Sequence, residues 1–154
     1  MDAGHYIVLL VDDDLVQIEL ARRVAAESCP EIDLIAVGSG EAVLDWLFAS
    51  VDKKEQVPHI ILMDLKLPKL DGLAVLRKLR GYAATCDIPI VVFSAEYTQD
   101  DVVMSYKAGA NSFVAKPTDL VQFAEFFREC LAYWLHPHQR KLIFAAKDRA
   151  TERI

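Results

Sequence analysis

Five short apolar runs recur along this chain: Tyr6–Val11, Leu34–Val37, Ile60–Met63, Ile90–Phe93 and Phe113–Ala115. Most are rich in Val and Ile, and they lack polar alternation. A strand with one wet face alternates, whereas a strand covered on both faces does not, so these runs read as strands of a parallel sheet buried between helices. Helical patterns fill the gaps. Asp14 is placed to cap a helix carrying Ile18, Ala21 and Ala25, and Ser39 to cap one with Ala42, Leu44 and Leu47. Asp71 opens a third, with Leu73, Leu76 and Leu79; Thr98 opens a fourth, with Asp100 and Asp101 in its first turn and Gly109 at its end. Asp119 opens the last and longest, with Leu120, Phe123, Phe127 and Trp134 inward.

A βα unit repeated five times within residues 6–135 predicts an α/β fold with helices on both faces of one parallel sheet. Right-handed crossovers leave few topologies, and the flavodoxin-like doubly wound order 2-1-3-4-5 fits five strands. The polar segment 50–57 reads as the long loop. At 154 residues, 26 % charged and 53 % hydrophobic, the chain has the balance of one globular domain, which excludes disordered, collagen-like and disulfide-scaffold classes. The expected division is a domain over 1–135, a short basic tail over 136–154 as a candidate dimerisation arm, and no separate output domain.

The first apolar run is six residues long and has no basic flank, too short for a signal peptide or a membrane span. Cys29, Cys86 and Cys130 show no metal-ligand spacing and read as reduced thiols. These features lead us to expect a cytoplasmic protein with no membrane partner. A net charge of −6 argues against nucleic acid as the main ligand. The tail carries five basic and two acidic residues, a net of +3, which leaves −9 on the first 135 residues.

In such a sheet, ligands bind outside the carboxyl ends of the strands. Asp12, Asp13 and Asp14 follow the first run, Asp64 the third, Ser94 the fourth and Lys116-Pro117 the fifth. Singly, each reads as a helix cap or a solvated surface residue. Together, four strand ends deliver carboxylates, a hydroxyl and an ammonium to one edge. Packed carboxylates repel unless a cation intervenes, and Mg²⁺ takes oxygen ligands while retaining several waters. Lys116 and Ser94 add donors for phosphoryl oxygens. The set points to a carboxylate that takes a phosphoryl group with magnesium.

The segments LLVDDD (9–14), HIILMDLKLPKLDGLAVLRKLR (59–80), IPIVVFSAE (88–96) and AGANSFVAKP (108–117) resemble the receiver domain of two-component response regulators in order and spacing. The resemblance implies that Asp64 is the phosphoacceptor, receiving a phosphoryl group from a sensor histidine kinase. It implies a Mg²⁺ site, with Mn²⁺ as a substitute, formed by Asp12, Asp13, Asp64 and the main-chain carbonyl of Lys66. It makes Ser94 and Phe113 the switch pair and Lys116 the phosphate-pairing lysine, joined to Pro117 by a cis bond. Lys66 and Glu96, each two residues beyond a site residue, are expected to set phosphoryl lifetime. By the same resemblance the chain is a phosphoacceptor signalling protein that promotes its own phosphotransfer and dephosphorylation, not an enzyme acting on a separate substrate.

About twenty residues follow the fifth helix, too few for an output domain, so a stand-alone receiver is expected, signalling in a phosphorelay to an unknown downstream protein. The last helix is more apolar than one core stripe requires, and its aromatics, with Phe126, Tyr133 and Trp134 foremost, are candidate interface residues for a homodimer. The alternative is that Leu142, Ile143 and Phe144 of the tail fold back over it. Loop, helix and tail together resemble the single-domain regulators that serve bacterial phytochromes, which implies a phytochrome-type photoreceptor kinase as partner. A different class, a receiver-like dimeric scaffold independent of phosphate, stays open. A magnesium phosphohydrolase would place an Asp where Lys66 stands, and a nucleotide or flavin binder would need a Gly-rich loop after the first strand.

Overall fold

The computed structural model describes residues 6–28, 30–51, 57–68 and 70–135. Ten elements alternate in chain order: β1 Tyr6–Val11, α1 Leu15–Ser28, β2 Ile32–Val37, α2 Gly40–Val51, β3 Ile60–Asp64, α3 Gly72–Gly81, β4 Ile90–Ser94, α4 Gln99–Ala108, β5 Ser112–Ala115 and α5 Leu120–Leu135. All strand pairs are parallel, and the sheet order is β2-β1-β3-β4-β5. Each strand forms where its apolar run lies.

Both faces of the sheet are dry, which is why the runs lack alternation. Val8 and Leu10 of β1, Ile60 and Leu62 of β3, and Val91 and Phe93 of β4 pack against α1 and α5. Their neighbours Leu9, Val11, Ile61, Met63, Ile90 and Val92 pack on the other side against α2, α3 and residues around α4. Every one of these twelve strand residues is at most 1 % exposed. Burying each side chain contributes roughly 1.5–3 kcal/mol, so the three central strands form a rigid platform for their carboxyl ends.

All five helices start on the expected caps. Asp14 Oδ1 accepts from the N–H groups of Val16 and Gln17, Ser39 Oγ from Ala42, Asp71 Oδ1 from Leu73, and Asp119 Oδ1 from Val121 and Gln122. Thr98 and Asp101 form a reciprocal capping box on α4. That helix ends at Gly109, whose φ of 111° lies in the left-handed region where a Cβ is strained.

The structure corrects several expectations. α2 buries Val43 and Leu47 rather than Ala42, because its inward row is set by contact with Val75 of α3 and the sheet. α3 adds Val75 to its buried set, while Leu73 is only partly covered. α2 runs to Val51 and takes in the start of the expected loop, of which 52–56 lie outside the described residues. Leu120 is 50 % exposed: it sits in the first turn of α5, past the core, and lines a surface groove with Leu15 and Val16 of α1 instead. Trp134 belongs to the core at 6 % exposure, so as a candidate interface residue it is corrected. Phe126 and Tyr133 remain half-buried beside it.

Cys130 is buried, and desolvation pushes its thiol up to about 12, as expected of an unreactive core cysteine. Cys86 is a free, half-buried thiol. The tail 136–154 and Cys29 lie outside the described residues. Among the described residues, no helix is long and apolar enough to cross a membrane.

Candidate functional site

The carboxyl ends of β1, β3, β4 and β5 converge. Asp12 follows β1 directly and is fully buried; Asp64 is the last residue of β3 and 7 % exposed. Asp13, beside Asp12, is exposed. Each of Asp12, Asp13 and Asp64 offers a carboxylate oxygen within 4.8 Å of the others. Lys116 enters from the end of β5, with Nζ 2.9 Å from Asp64 Oδ2 and 3.0 Å from Asp12 Oδ2. The same ammonium lies 5.2 Å from the centre of the Phe93 ring.

Backbone contacts fix the two buried carboxylates. Asp12 Oδ1 accepts from Asp14 N at 2.9 Å, and Asp64 Oδ1 accepts from Lys66 N at 3.0 Å. Leu65 N donates to Phe93 O, and Lys116 N to Ser94 O, so the loop ends continue the ladder of the sheet. Gly72 N donates to Leu65 O, and a Cβ on Gly72 would lie 2.7 Å from that oxygen. The glycine therefore lets α3 press against the loop that carries Asp64.

The electrostatics follow from this geometry. Burial raises the pKa of Asp12 above its ordinary value, since the hydrogen bond from Asp14 and the nearby Lys116 do not fully offset desolvation. Burial alone would lower Lys116, but the hydrogen bond it donates to Asp64 and the charges of Asp64 and Asp12 outweigh it and hold the ammonium above its ordinary value. Three carboxylates face one ammonium, a local charge of −2. Asp12 Oδ2 is buried and lacks an aligned hydrogen bond, although it lies close to Lys116. An oxygen with spare lone pairs, in an acidic set open through Asp13, fits a hard divalent cation.

Other expected site residues are found nearby. Ser94 is fully buried, and its hydroxyl donates to Glu96 O at 2.9 Å. Asp64, Lys66, Ser94, Ala95 and Glu96 line a cavity of about 210 Å³. Lys66 and Glu96 thus border the space above Asp64. Phe113 is half-buried, meets Tyr97 edge-on at 5.1 Å between ring centres, and donates its N–H to the Tyr106 hydroxyl. The Lys116–Pro117 bond is trans, a correction to the expected cis bond. Trans is the lower-energy isomer by about 0.5–1 kcal/mol, and Lys116 reaches both carboxylates from it.

Three contributors were not singled out as site residues. Asp101 pairs with Lys66, although in sequence it reads only as an acid in a first turn. Tyr97 meets Phe113 from a loop. Arg80 donates to the carbonyls of Gly109, Thr85, Cys86 and Ile88 and to Asn111 Oδ1, tying α3 to the loops flanking β4. In sequence it reads as a cation favouring a helix C-terminus.

The family model described as the response regulator receiver domain matches residues 8–128. Response regulator Rcp1 of Synechocystis sp. is 29 % identical over 130 residues, which cover 84 % of this chain and 88 % of Rcp1. The crystal structure of the phosphorylated cyanobacterial phytochrome response regulator RcpA is similar at a TM-score of 0.80 and 28 % identity, covering 87 % of this chain and 96 % of that one. The Mn²⁺-bound form of Rcp1 is similar at a TM-score of 0.77 and 29 % identity, covering 85 % and 95 %.

Proposed function

The chain belongs to the response regulator receiver family, and on that premise we propose that it takes a phosphoryl group from a sensor histidine kinase onto Asp64 and signals by protein contacts that depend on that group. The observation that carries this reading is the pairing of the buried Asp64 with Lys116 at 2.9 Å inside the acidic cluster. An Asp64 oxygen attacks phosphorus as the bond from phosphorus to the kinase imidazole nitrogen breaks; the nitrogen keeps the electron pair and the aspartyl phosphate forms. Lys116 holds the nucleophile in place and balances charge on the transferring oxygens, so the chain supplies positioning and electrostatics.

Asp12, Asp13, Asp64 and the main-chain carbonyl of Lys66 would hold Mg²⁺, with Mn²⁺ as a substitute. The cation would supply charge neutralisation and Lewis acidity toward the phosphoryl oxygens. The acidic cluster supports this assignment, and Rcp1 has been crystallised with Mn²⁺.

Exposed Leu15, Val16, Leu120 and Val121 beside the acidic edge give the kinase an apolar surface to dock on. Once Asp64 is phosphorylated, Ser94 exchanges its bond to Glu96 O for a phosphoryl oxygen, and Phe113 repacks against the vacated space. This is a population shift between two packings of the face formed by α4 and β5. The likeness to Rcp1 and RcpA, with each chain covering most of the other, supports a stand-alone regulator in the cytoplasm, partnered by a phytochrome-type photoreceptor kinase. A homodimer through α5 and the tail is part of the same proposal.

The test is intact mass of wild type and Asp64→Asn after incubation with acetyl phosphate or phosphoramidate, with and without Mg²⁺. The expected result is one phosphoryl adduct, in wild type only and only with Mg²⁺. No adduct under any condition would favour the dimeric scaffold.

A further inference from the structure

In this structure Asp64 has both oxygens engaged, Oδ1 by Lys66 N and Oδ2 by Lys116 Nζ. The Lys66 ammonium instead reaches toward α4, where Nζ lies 3.4 Å from Asp101 Oδ2. That same oxygen accepts the Thr98 N–H at 2.9 Å, while Asp101 N donates to Thr98 Oγ1 at 3.2 Å. One carboxylate oxygen thus closes the cap of α4 and receives the lysine next to the acceptor. We propose that Asp101 is a positioning residue for the acceptor site: it holds Lys66 away from Asp64 and competes for the lysine with a phosphoryl group that arrives there. New charge on Asp64 is thereby transmitted to the first turn of α4. This rests on Asp64 being the phosphoacceptor.

The balance between the two anions can tip. The Lys66–Asp101 pair is solvated, with side chains 59 % and 22 % exposed, and a pair of that kind holds by about a two- to fivefold preference. A phosphoryl group brings a charge of roughly −2 and three strong acceptor oxygens. It would sit in the cavity that Lys66 already lines with Asp64, Ser94 and Glu96. Asp101 loses little by letting go. The Thr98 N–H stays on the same oxygen and Lys66 only adds to it, so the cap loosens without breaking while the link from α4 to the acceptor loop opens.

The experiment loads wild type, Asp101→Asn, Lys66→Met and the double variant with acetyl phosphate and Mg²⁺. The donor is then removed and adduct decay is followed by intact mass, with thermal unfolding as the folding control. Hydrolysis breaks the bond between phosphorus and the Asp64 oxygen as water adds to phosphorus, releasing inorganic phosphate and the free carboxylate. Freed from Asp101, Lys66 covers the cavity through which that water enters. Asp101→Asn is therefore expected to lengthen adduct lifetime about two- to fivefold, with no effect when Lys66→Met is also present. Thr98→Ala, which weakens the cap but leaves the lysine its partner, is expected to keep the wild-type lifetime.

An unchanged lifetime in folded Asp101→Asn, or the same change with and without Lys66→Met, overturns the proposal. Absence of any adduct on wild type instead overturns the acceptor reading, and this inference with it. Hydrogen exchange gives a second readout that does not need Asp101→Asn to fold. The amides of Asp101 and Val102 should exchange faster on phosphorylation in wild type but not in Lys66→Met, and equal behaviour in the two refutes the link.

Discussion

Substituting Asp12→Asn is expected to stabilise the metal-free protein while abolishing its stabilisation by Mg²⁺. At an effective dielectric constant of 20, the attraction of Asp12 to Lys116 at 3.0 Å is about 5.5 kcal/mol. Repulsion from Asp64 within 4.8 Å is about 3.5 kcal/mol, and the exposed Asp13 adds a smaller, solvent-screened amount. These pairwise interactions leave a net attraction of at most about 2 kcal/mol, which desolvation of the fully buried Asp12 outweighs, raising its pKa.

An asparagine keeps the Oδ1 that accepts from Asp14 N, and Lys116 keeps Asp64 at 2.9 Å. Removing the charge should therefore stabilise the fold by about 1–2 kcal/mol in EDTA at neutral pH, after the unfavourable approach of the new NH₂ to Lys116 is allowed for. At about 2–4 °C per kcal/mol, that is a rise in Tm of roughly 3–6 °C, read by calorimetry or circular dichroism.

The pH dependence has a definite sign. Folded Asp12 has a pKa raised above its unfolded value, so the stability its ionisation withholds at neutral pH returns as pH falls through the folded value. The advantage of the variant should accordingly be widest near pH 7 and shrink toward pH 4. Lys116 is raised as well, and its contribution is lost only in the alkaline range, above its unfolded value of 10.5 and through its folded one. It leaves the acid window unaffected. Saturating Mg²⁺ should raise the Tm of wild type but not of Asp12→Asn. A variant less stable than wild type in EDTA, or an advantage that grows toward acid pH, would refute the reasoning.

Two further outcomes follow from the packing around the site. Gly72→Ala places a Cβ 2.7 Å from Leu65 O and 3.2 Å from Asp64 O, both backbone atoms that cannot rotate away. It should cost about 1–3 kcal/mol in urea denaturation and slow adduct formation from acetyl phosphate, because α3 is pushed off the acceptor loop. The homodimer proposed through α5 and the tail should appear in light scattering at micromolar concentration and weaken in Tyr133→Ser, whose parent ring is half-buried; only monomer for wild type would remove it from the proposal.

Much of this molecule is set by pattern alone. Unbroken Val/Ile runs mean strands buried on both faces, and two-sided burial in a chain this short requires helices between them, so the alternation carries the parallel sheet with it and leaves only a few strand orders. The five caps are equally local, since a side chain two or three residues from the N–H it accepts needs no tertiary partner. The convergence of Asp12, Asp64, Ser94 and Lys116 follows from the same logic, because residues ending parallel strands must share an edge.

Tertiary packing decided the rest. Which row of α2 turns inward depends on Val75 of a neighbouring helix, and whether Leu120 is covered depends on where the core ends; neither is encoded in helical spacing. Helical spacing turns Trp134 inward, as found, but how far the neighbouring Tyr133 and Phe126 are covered is settled only by what packs beside them. Arg80 and Asp101 read as ordinary helix-terminal charges because the partners that tie them across the fold lie far along the chain: Gly109 and Asn111 for Arg80, and Lys66 for Asp101, 35 residues away. Spacing fixes what one element can present, but the neighbour it meets, and hence the charge a side chain finds there, exists only once the chain has closed on itself.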